Sequence, residues 1–279
     1  MYHKVKHSAL NCTCLTLNIV TVLSFACSLS LRGRISNLTT LDVSRNNLQR
    51  LGPIYKLHKL KSLQCDENKL TSDSLSTLVS NTTSSKLQSL SAGGNLLGKE
   101  LPNLSDGDHK GKTMAALPAS LKQLVLTSNH FSSVPPQVCS PSLTLLEKLD
   151  LSHNHLAAIP TTVSNLKNLH ELVLDYNLLV SIPNGVGSLS KLKVLSLKYN
   201  CFTTTKTTVY DDVKNPQPLP RSLFEETLLI DLNLHGNKMT FTALSNFDGF
   251  DKFLERRKHI KSKDIYGGAL TNLDVCGLD

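Results

Sequence analysis

Hydrophobic residues recur at fixed intervals between positions 146 and 202, where three successive segments share one pattern of apolar and polar positions. The segments read LEKLDLSHNHLAAIPTTVSNLKN, LHELVLDYNLLVSIPNGVGSLSK and LKVLSLKYNCF, with equivalent leucines 23 residues apart. The alternation of Leu149 and Leu151 predicts a short strand with one buried face. Asn154 is expected to satisfy backbone groups where the chain leaves the strand. Such internal repetition predicts stacked units that share one continuous core.

The repeating unit L-x-x-L-x-L-x-x-N-x-L is that of a leucine-rich repeat. The predicted fold class is therefore α/β: a leucine-rich-repeat solenoid shaped as a curved horseshoe. A parallel β-sheet is expected on its concave face, with short helices, 3-10 turns and loops on the convex face. Eight units align on their asparagines, which are Asn46, Asn68, Asn95, Asn129, Asn154, Asn177, Asn200 and Asn237.

The repeat pattern divides the chain into four predicted regions. Residues 38–240 form the solenoid of about eight repeats. Residues 241–265 are expected to form a C-terminal capping helix, because apolar residues there lie near helical spacing. Residues 266–279 follow a Gly-Gly pair and are predicted to be a flexible tail.

Residues 1–37 allow two interpretations. The uncharged stretch from Ser8 to Leu31 resembles a signal peptide or signal anchor, and two lysines precede it. Alternatively, Leu15 and Leu17 are strand residues of a degenerate N-terminal capping repeat. We favour the capping repeat, with a targeting segment as the alternative.

Unequal spacing of the asparagines reveals insertions in the repeat. The insertion at 71–86 has apolar residues at helical spacing and predicts a short convex-side helix. The insertion at 98–118 is polar and predicts an exposed loop. The insertion at 203–220 is β-branched at first and later proline-rich, so it forms either an irregular strand or a mobile segment.

Charge and cysteine content bear on the compartment and the partners. The net charge is +8, and the basic run at 256–263 contributes much of it, so we interpret the charge as local to the C-terminal helix. The seven cysteines lack paired spacing, and Cys65 replaces a core leucine. Dispersed cysteines without flanking cysteine-rich caps are typical of free thiols in a reducing compartment.

Motifs for catalysis or metal binding are weak in this sequence. Gly111-Lys112-Thr113 suggests a phosphate-binding loop, but Asp106 stands where that motif requires glycine. His130 and His155 occupy equivalent positions in adjacent units, with His153 nearby, yet no carboxylate or thiolate shares the motif. We therefore predict no enzyme activity, no catalytic residue, no metal and no cofactor.

The repeat does predict a binding surface, because residues between the consensus leucines point outward and stack into columns. The third column includes adjacent tyrosines beside charged residues, which is typical of a protein-binding hot spot. The candidate partner-binding residues are Val173, Asp175, Tyr176, Lys198, Tyr199 and His153. The first column is Asp42, Gln64, Ser91, Val125, Asp150, Val173, Ser196 and Asn233; the second is Ser44, Asp66, Gly93, Thr127, Ser152, Asp175, Lys198 and His235; the third is Arg45, Glu67, Gly94, Ser128, His153, Tyr176, Tyr199 and Gly236.

The 23-residue units with Ile-Pro at their turns resemble intracellular leucine-rich-repeat proteins of the Ras group. DLNLHGNKM followed by GFDKFLERR, at 249–257, is similar to the terminus of the family of leucine-rich-repeat-containing protein 57. The resemblance implies a cytoplasmic or membrane-associated protein without catalytic residues. That family often has a lipidated glycine after the initiator methionine, whereas this chain has Tyr2.

The sequence therefore predicts a cytoplasmic, non-catalytic scaffold or signalling adaptor that binds a protein partner on its concave face. We expect a monomer without a small-molecule substrate or nucleic-acid partner. Any membrane association is expected to involve contacts of the N-terminal segment or of the basic C-terminal helix. The alternative is a secreted or membrane-anchored recognition ectodomain, and an enzyme or metal-binding protein ranks last.

Overall fold

A computed structural model describes residues 14–16, 37–51, 54, 57–78, 86–99, 116–204, 217–264 and 276–278. The chain divides into two compact units, residues 1–125 and 126–279. Most of residues 1–37 and of the insertions at 98–118 and 203–220 lie outside the described residues, as does the Gly-Lys-Thr motif. In the part of the chain that is described, every helix is too short or too polar to cross a membrane.

In the first unit, five short strands pair in parallel and in chain order. They are β1 (Cys14–Thr16), β2 (Thr40–Asp42), β3 (Ser62–Gln64), β4 (Ser89–Ser91) and β5 (Gln123–Val125). The middle residue of each strand is a leucine, and these leucines are in register. Leu41, Leu63, Leu90 and Leu124 are each at most 1% exposed. The alternation predicted from the sequence is therefore confirmed here.

The second unit repeats the arrangement with four strands. They are β6 (Lys148–Asp150), β7 (Glu171–Val173), β8 (Val194–Ser196) and β9 (Asp231–Asn233), all parallel and in chain order. Leu149, Leu172, Leu195 and Leu232 stand in register and point into the core. The parallel strands and the repeating core confirm the leucine-rich-repeat solenoid of α/β class.

The consensus asparagines satisfy buried backbone groups, as predicted. The Nδ2 group of Asn177 donates to the carbonyl oxygens of Leu151 and Leu174, both at 3.0 Å. It donates further to the Asp175 carbonyl at 3.2 Å, while its Oδ1 accepts from the Leu156 N–H at 3.0 Å. One side chain thus joins its own repeat to the repeat before it. The equivalent buried asparagines are Asn68, Asn95, Asn129, Asn154 and Asn200.

Short helices occupy the return segments. The first unit has a 3-10 helix at Ser72–Leu78, within the insertion predicted to be helical. In the second unit each return helix follows a proline, whose ring fixes φ near the helical value. These helices are the 3-10 helices Pro136–Cys139 and Thr161–Asn165, then α1 (Asn184–Gly187) and α2 (Arg221–Glu225).

Two glycines let successive return helices approach closely. A Cβ on Gly185 would lie 3.0 Å from the carbonyl carbon of Thr161 and also clash with its oxygen. A Cβ on Gly187 would lie 2.9 Å from the backbone nitrogen of Leu223. Because backbone atoms cannot move aside as a flexible side chain would, neither position accommodates a larger residue without displacing a neighbouring repeat.

The segment 241–265, predicted to be one capping helix, contains two. Helix α3 spans Phe241–Ser245 and begins at Thr240, whose side-chain oxygen accepts from the Ala243 N–H at 3.3 Å. Helix α4 spans Phe250–Asp264. Between them Gly249 has a φ of +82°, which a right-handed helix cannot contain. The single predicted helix is therefore wrong in this detail.

Helix α4 packs on α2 through phenylalanines. The ring centroid of Phe224 lies 5.5 Å from that of Phe250 and 6.2 Å from that of Phe253. All three rings are almost completely buried. This cluster gives the last repeat an apolar cover.

Two arginines of the basic run take part in the same packing. The Arg256 guanidinium donates to the Leu229 carbonyl at 3.1 Å and to the Phe224 carbonyl at 2.5 Å. The Arg257 guanidinium lies 5.6 Å from the centroid of the Phe253 ring. These contacts give both side chains a structural role in holding α4 to the solenoid.

Part of the predicted flexible tail lies against strand β9. The Leu234 N–H donates to the Cys276 carbonyl at 2.8 Å, and Cys276 is buried. For residues 276–278 the structure thus differs from the prediction, because the edge beyond β9 offers a backbone donor that the tail satisfies.

Four described cysteines are free thiols, and three of them are buried: Cys65, Cys139 and Cys276. Burial raises the pKa of Cys65 well above its ordinary value, that of Cys139 to about 11 and that of Cys276 to about 12. Cys65 takes the core position predicted for it, and its Sγ lies 3.1 Å from the carbonyl oxygen of Ser91.

Raising the pH is expected to destabilise the fold through these thiols. In the unfolded chain a thiol ionises near its ordinary pKa of about 8.5, whereas burial keeps Cys139 neutral up to about pH 11. The folded chain therefore binds more protons in this window, and its free energy of unfolding falls as the pH rises. The loss is about 1.4 kcal/mol per pH unit per thiol.

Urea unfolding of the wild type and Cys139→Ala from about pH 8 to about pH 10 measures this loss. The variant should show a shallower decline. Cys201→Ala, which removes an exposed thiol, serves as the control and should follow the wild type. Equal slopes for all three chains would contradict the assignment.

Candidate functional site

The face of the sheet opposite the buried leucines, called the strand face below, carries the predicted columns. The strand register pairs Asp150 with Val173, Val173 with Ser196 and Ser196 with Asn233, as the first predicted column requires. In the first unit the same column runs through Asp42, Gln64, Ser91 and Val125. The first column thus presents one side chain per repeat.

Four aromatic side chains of the second unit form a continuous row. The His153 and Tyr176 ring centroids lie 4.2 Å apart with an interplanar angle of 12°, and those of Tyr176 and Tyr199 lie 4.5 Å apart at 17°. The row continues to His235, whose centroid is 5.3 Å from that of Tyr199 in an edge-on arrangement. We call His153, Tyr176, Tyr199 and His235 the aromatic row.

His235, a member of the second column, was not among the predicted site residues. It joins the row because Gly236 has no side chain, and the Tyr199 ring lies over that glycine. A Cβ on Gly236 would stand only 2.6 Å from the Tyr199 Cε1 atom. A glycine next to a tyrosine in one column was the sequence signal for this arrangement.

Three residues of the row have a left-handed backbone, which the sequence pattern did not indicate. The φ angles of His153, Tyr176 and Tyr199 are 53°, 52° and 49°. Glycine takes this conformation most easily, and the chain has glycine at two equivalent positions, Gly94 and Gly236. Placing tyrosine there costs about 1 kcal/mol per residue, so the row retains large rings at strained positions.

Backbone hydrogen bonds hold three of the row residues to the next repeat. The N–H groups of His153 and Tyr176 donate at 2.8 Å to the carbonyls of Asp175 and Lys198. The Tyr199 N–H donates at 2.8 Å to the His235 carbonyl. Rings on a backbone fixed in this way lose little further conformational freedom when a partner binds.

The row ends at the docked part of the C-terminal tail. The Nε2 atom of His235 lies 3.1 Å from the Tyr199 hydroxyl, and its Nδ1 atom lies 3.3 Å from the Gly277 carbonyl oxygen. The tail thus borders the row on the side of β9.

The predicted charged residues lie beside the row, but they also have structural roles. The Oδ1 atom of Asp175 accepts from the Lys198 N–H at 2.8 Å. Lys148 pairs with Glu171 at 2.6 Å on the same face. Desolvation by its neighbours raises the pKa of Tyr176, with further contributions from Tyr199 and from the carboxylate of Asp175.

Apolar surface extends from the row into the adjoining turn. Tyr176, Tyr199, Leu178 and Val180 are 44%, 42%, 52% and 37% exposed. Leu178 and Val180 were not predicted as site residues. The sequence signal for an exposed apolar patch was the run NLLV, because the preceding repeat has the polar residue His155 at the position of Leu178.

The histidine pair considered for metal binding lies near this surface. The ring centroids of His130 and His155 are 6.2 Å apart. Over the described ranges, His, Cys, Asp and Glu side chains form no group of three or more that could hold a metal ion.

Comparison with known families matches the repeat itself. A family model described as Leucine rich repeat matches residues 119–179, and another described as Leucine Rich Repeat matches residues 37–56. Comparison with curated protein sequences finds no match.

Solved structures share the fold. A leucine-rich-repeat protein of Leptospira interrogans is 25% identical with a TM-score of 0.53, over 82% of this chain and 56% of its own. The leucine-rich-repeat ectodomain of the Arabidopsis thaliana receptor kinase GASSHO1/SCHENGEN3, solved with CASPARIAN STRIP INTEGRITY FACTOR 2, is 25% identical with a TM-score of 0.52. That match covers 83% of this chain and 24% of the ectodomain.

Internalin C2 of Listeria monocytogenes is 22% identical with a TM-score of 0.54, covering 78% of this chain and 80% of its own, which shows the fold alone. This chain spans about half of the Leptospira protein and about a quarter of the plant ectodomain. The repeat models, the strand register and these likenesses show that the chain contains leucine-rich repeats and has the α/β leucine-rich-repeat solenoid fold.

Proposed function

We propose that this protein is a non-catalytic scaffold or signalling adaptor whose protein partner contacts the strand face at the aromatic row. One observation carries the proposal: three stacked rings, on a backbone hydrogen-bonded to the next repeat, remain open to solvent beside exposed apolar residues. Tyrosine is enriched in protein-binding hot spots because it supplies a large, amphipathic contact at low entropic cost.

Charged residues around the row fit the same role. Val173 adds an apolar contact on β7, and Asp175 and Lys198 supply charges at its rim. A central aromatic cluster with a polar rim is the usual arrangement of a protein interface.

The buried thiols support a non-catalytic role. Burial raises the pKa of Cys65, Cys139 and Cys276, which keeps these thiols neutral and poorly nucleophilic near pH 7. The proposal therefore assigns the chain no reaction of its own.

Quantitative affinity capture tests this proposal. The wild type and the double variant Tyr176→Ala plus Tyr199→Ala serve as baits, and captured proteins are quantified by mass spectrometry. We expect at least one partner to fall by about tenfold or more, since loss of hot-spot aromatics costs about 2 kcal/mol or more.

A matched control removes exposed apolar side chains outside the row. Leu145→Ala plus Leu228→Ala takes away residues that are 47% and 50% exposed. These changes should leave the partner at its wild-type level. If the tyrosine variant captures every partner at the wild-type level, or if both variants lose a partner equally, the assignment of partner binding to the aromatic row is contradicted.

The proposed compartment is the cytoplasm, and the proposed oligomeric state is a monomer. Free thiols at Cys65, Cys139, Cys201 and Cys276 support a reducing compartment. The Cys276 carbonyl accepts from the Leu234 N–H beyond strand β9. Because this backbone donor at the sheet edge is already satisfied within the chain, it supports a monomer rather than edge-to-edge pairing with a second copy.

The second candidate is a secreted or membrane-anchored recognition ectodomain. The likeness to the plant receptor ectodomain, which is solved with a bound factor, favours it. Expression with a C-terminal fluorescent tag separates the two, because N-terminal cleavage and glycosylation would favour the ectodomain.

A further inference from the structure

Residues 276–278, called the docked tail below, take the place of one further strand beyond β9. Along the second unit, a leucine N–H of each repeat donates at 2.8 to 2.9 Å to the first-column carbonyl of the next repeat. The donor and acceptor pairs are Leu151 and Val173, Leu174 and Ser196, and Leu197 and Asn233. The pair Leu234 and Cys276, at 2.8 Å, continues this series. Cys276 therefore stands where a further repeat would place its first-column residue.

Gly277 packs closely on the turn that follows β9. Its φ of +62° lies in the left-handed region, which glycine adopts without strain. A Cβ at this position would stand 3.0 Å from the His235 Cβ and 3.1 Å from the Asn233 Oδ1 atom. That Oδ1 atom accepts from the His235 N–H at 3.1 Å, so the turn is held against the tail. A branched side chain at position 277 would lift the tail off this turn.

His235 connects the docked tail to the aromatic row. The Gly277 carbonyl oxygen can only accept a hydrogen bond, so the His235 Nδ1 atom, 3.3 Å away, carries the proton. In the neutral imidazole the Nε2 atom then accepts from the Tyr199 hydroxyl, which lies 3.1 Å away. One tautomer satisfies both contacts. The docked tail thus orients the ring to which the Tyr199 hydroxyl binds.

Tyr199 carries the effect of this contact into the row. Its ring is 42% exposed, so burial alone does not fix its orientation. It stacks on Tyr176 at a centroid distance of 4.5 Å, lies over Gly236, and meets the edge of the His235 ring at 5.3 Å. The stacking and the glycine contact come from the repeats themselves. The His235 contact is the one that depends on the docked tail.

We propose that the docked tail is a positioning strap for the aromatic row. Gly277 holds the His235 ring, and His235 holds the Tyr199 hydroxyl, so the Tyr199 ring meets a partner already in its bound orientation. When the tail undocks, the Tyr199 side chain gains freedom that partner binding must remove again, and affinity falls. This inference rests on the proposed function, because it names what orients the same surface. Control of tail docking would therefore regulate partner binding without a change in the row itself.

The variant Gly277→Val undocks the tail, and alkylation of Cys276 measures the undocking. Cys276 is 1% exposed in the wild type, so iodoacetamide can modify it only when the tail opens. We expect the variant to react faster by about tenfold or more, as followed by mass spectrometry. The exposed thiol of Cys201 is the internal reference and should react at the same rate in both chains.

Nuclear magnetic resonance of the full chain with carbon-13-labelled tyrosine reports on the row without any partner. The chain has six tyrosines, and Tyr199→Phe assigns the signal of Tyr199. We expect the Tyr199 ring signals to shift in Gly277→Val and in a chain that ends at residue 275. Gly98→Val is the matched control, because it places valine at another left-handed glycine, with a φ of +76°, in the first unit. It should leave the Tyr199 signals and the Cys276 reaction rate at their wild-type values.

Affinity capture measures the consequence for binding. A partner that depends on Tyr176 and Tyr199 should fall by about three- to tenfold with Gly277→Val and with the shortened chain, which is the effect of ordering one side chain on binding. Gly98→Val should capture it at the wild-type level. Thermal unfolding of each bait checks that the solenoid itself persists.

The other outcomes overturn the inference and separate it from the proposed function. Unchanged Tyr199 signals with a reactive Cys276 would show that the tail does not orient the row. Unchanged or increased capture with both tail variants would do the same for binding, and an increase would mean that the tail obstructs the partner. These results leave the row as the binding surface if Tyr176→Ala plus Tyr199→Ala still loses the partner. Full capture by that double variant overturns the proposed function and the strap together, and a Cys276 that stays unreactive in Gly277→Val overturns the role of Gly277.

Discussion

Replacing Asn177 with alanine is expected to lower the free energy of unfolding by about 3 to 5 kcal/mol, because buried backbone groups without partners cost about 1 to 3 kcal/mol each. The side chain donates to the carbonyls of Leu151, Leu174 and Asp175 and accepts from the Leu156 N–H. Alanine can replace none of these contacts, and water cannot reach a site that is 5% exposed in the wild type. Urea unfolding followed by circular dichroism measures the loss.

Asn168→Ala is the matched control. The Asn168 side chain donates to the Thr144 carbonyl and accepts from Lys191, but both contacts are exposed. Water replaces them, so the expected loss is below about 1 kcal/mol. Similar losses in both variants would refute the view that the buried asparagines join successive repeats.

Replacing Phe253 with alanine is expected to cost about 3 to 5 kcal/mol, the usual range for a buried aromatic ring. Phe253 is fully buried, and its ring centroid lies 5.4 Å from that of Phe250 and 6.2 Å from that of Phe224. The change leaves a cavity where α4 meets α2. Thermal and urea unfolding of the full chain measure the effect.

Phe247→Ala removes the same ring from a half-buried position between α3 and α4. Less apolar surface returns to water, so its cost is expected to be about 1 kcal/mol. If Phe253→Ala costs no more than Phe247→Ala, α4 does not cover the last repeat as described.

The repeat core could be predicted from the sequence because its physics is local and periodic. Leu149, Leu172 and Leu195 recur at a fixed interval, and each must face the core if any of them does. The same period predicts that Asn177 turns inward and that Val173 stacks between Asp150 and Ser196.

The shape of the candidate site could not be predicted in the same way. The period places Tyr176 and Tyr199 in one column, but it does not specify the left-handed φ angles or the stacking of the rings. His235 enters the row through the space above Gly236, which is a contact between two columns. Such contacts depend on side-chain packing across repeats, which a period does not encode.

The C-terminal region departs from prediction for a related reason. Phe250 and Phe253 are near helical spacing, but Gly249 divides the segment into two helices. Cys276 lies beyond the last recognisable repeat, yet its carbonyl accepts the backbone N–H of Leu234. Neither the break nor the docked tail follows from hydrophobic spacing.

Site-specific photocrosslinking tests most directly whether a partner contacts the aromatic row. Tyr176→p-benzoylphenylalanine and Leu145→p-benzoylphenylalanine place the same reactive group at positions that are 44% and 47% exposed in the wild type. After irradiation of cells that produce each variant, a covalent adduct with a partner protein is expected from position 176 and not from position 145. An adduct from position 145 alone, or equal adducts from both positions, would contradict the assignment of the aromatic row as the binding surface.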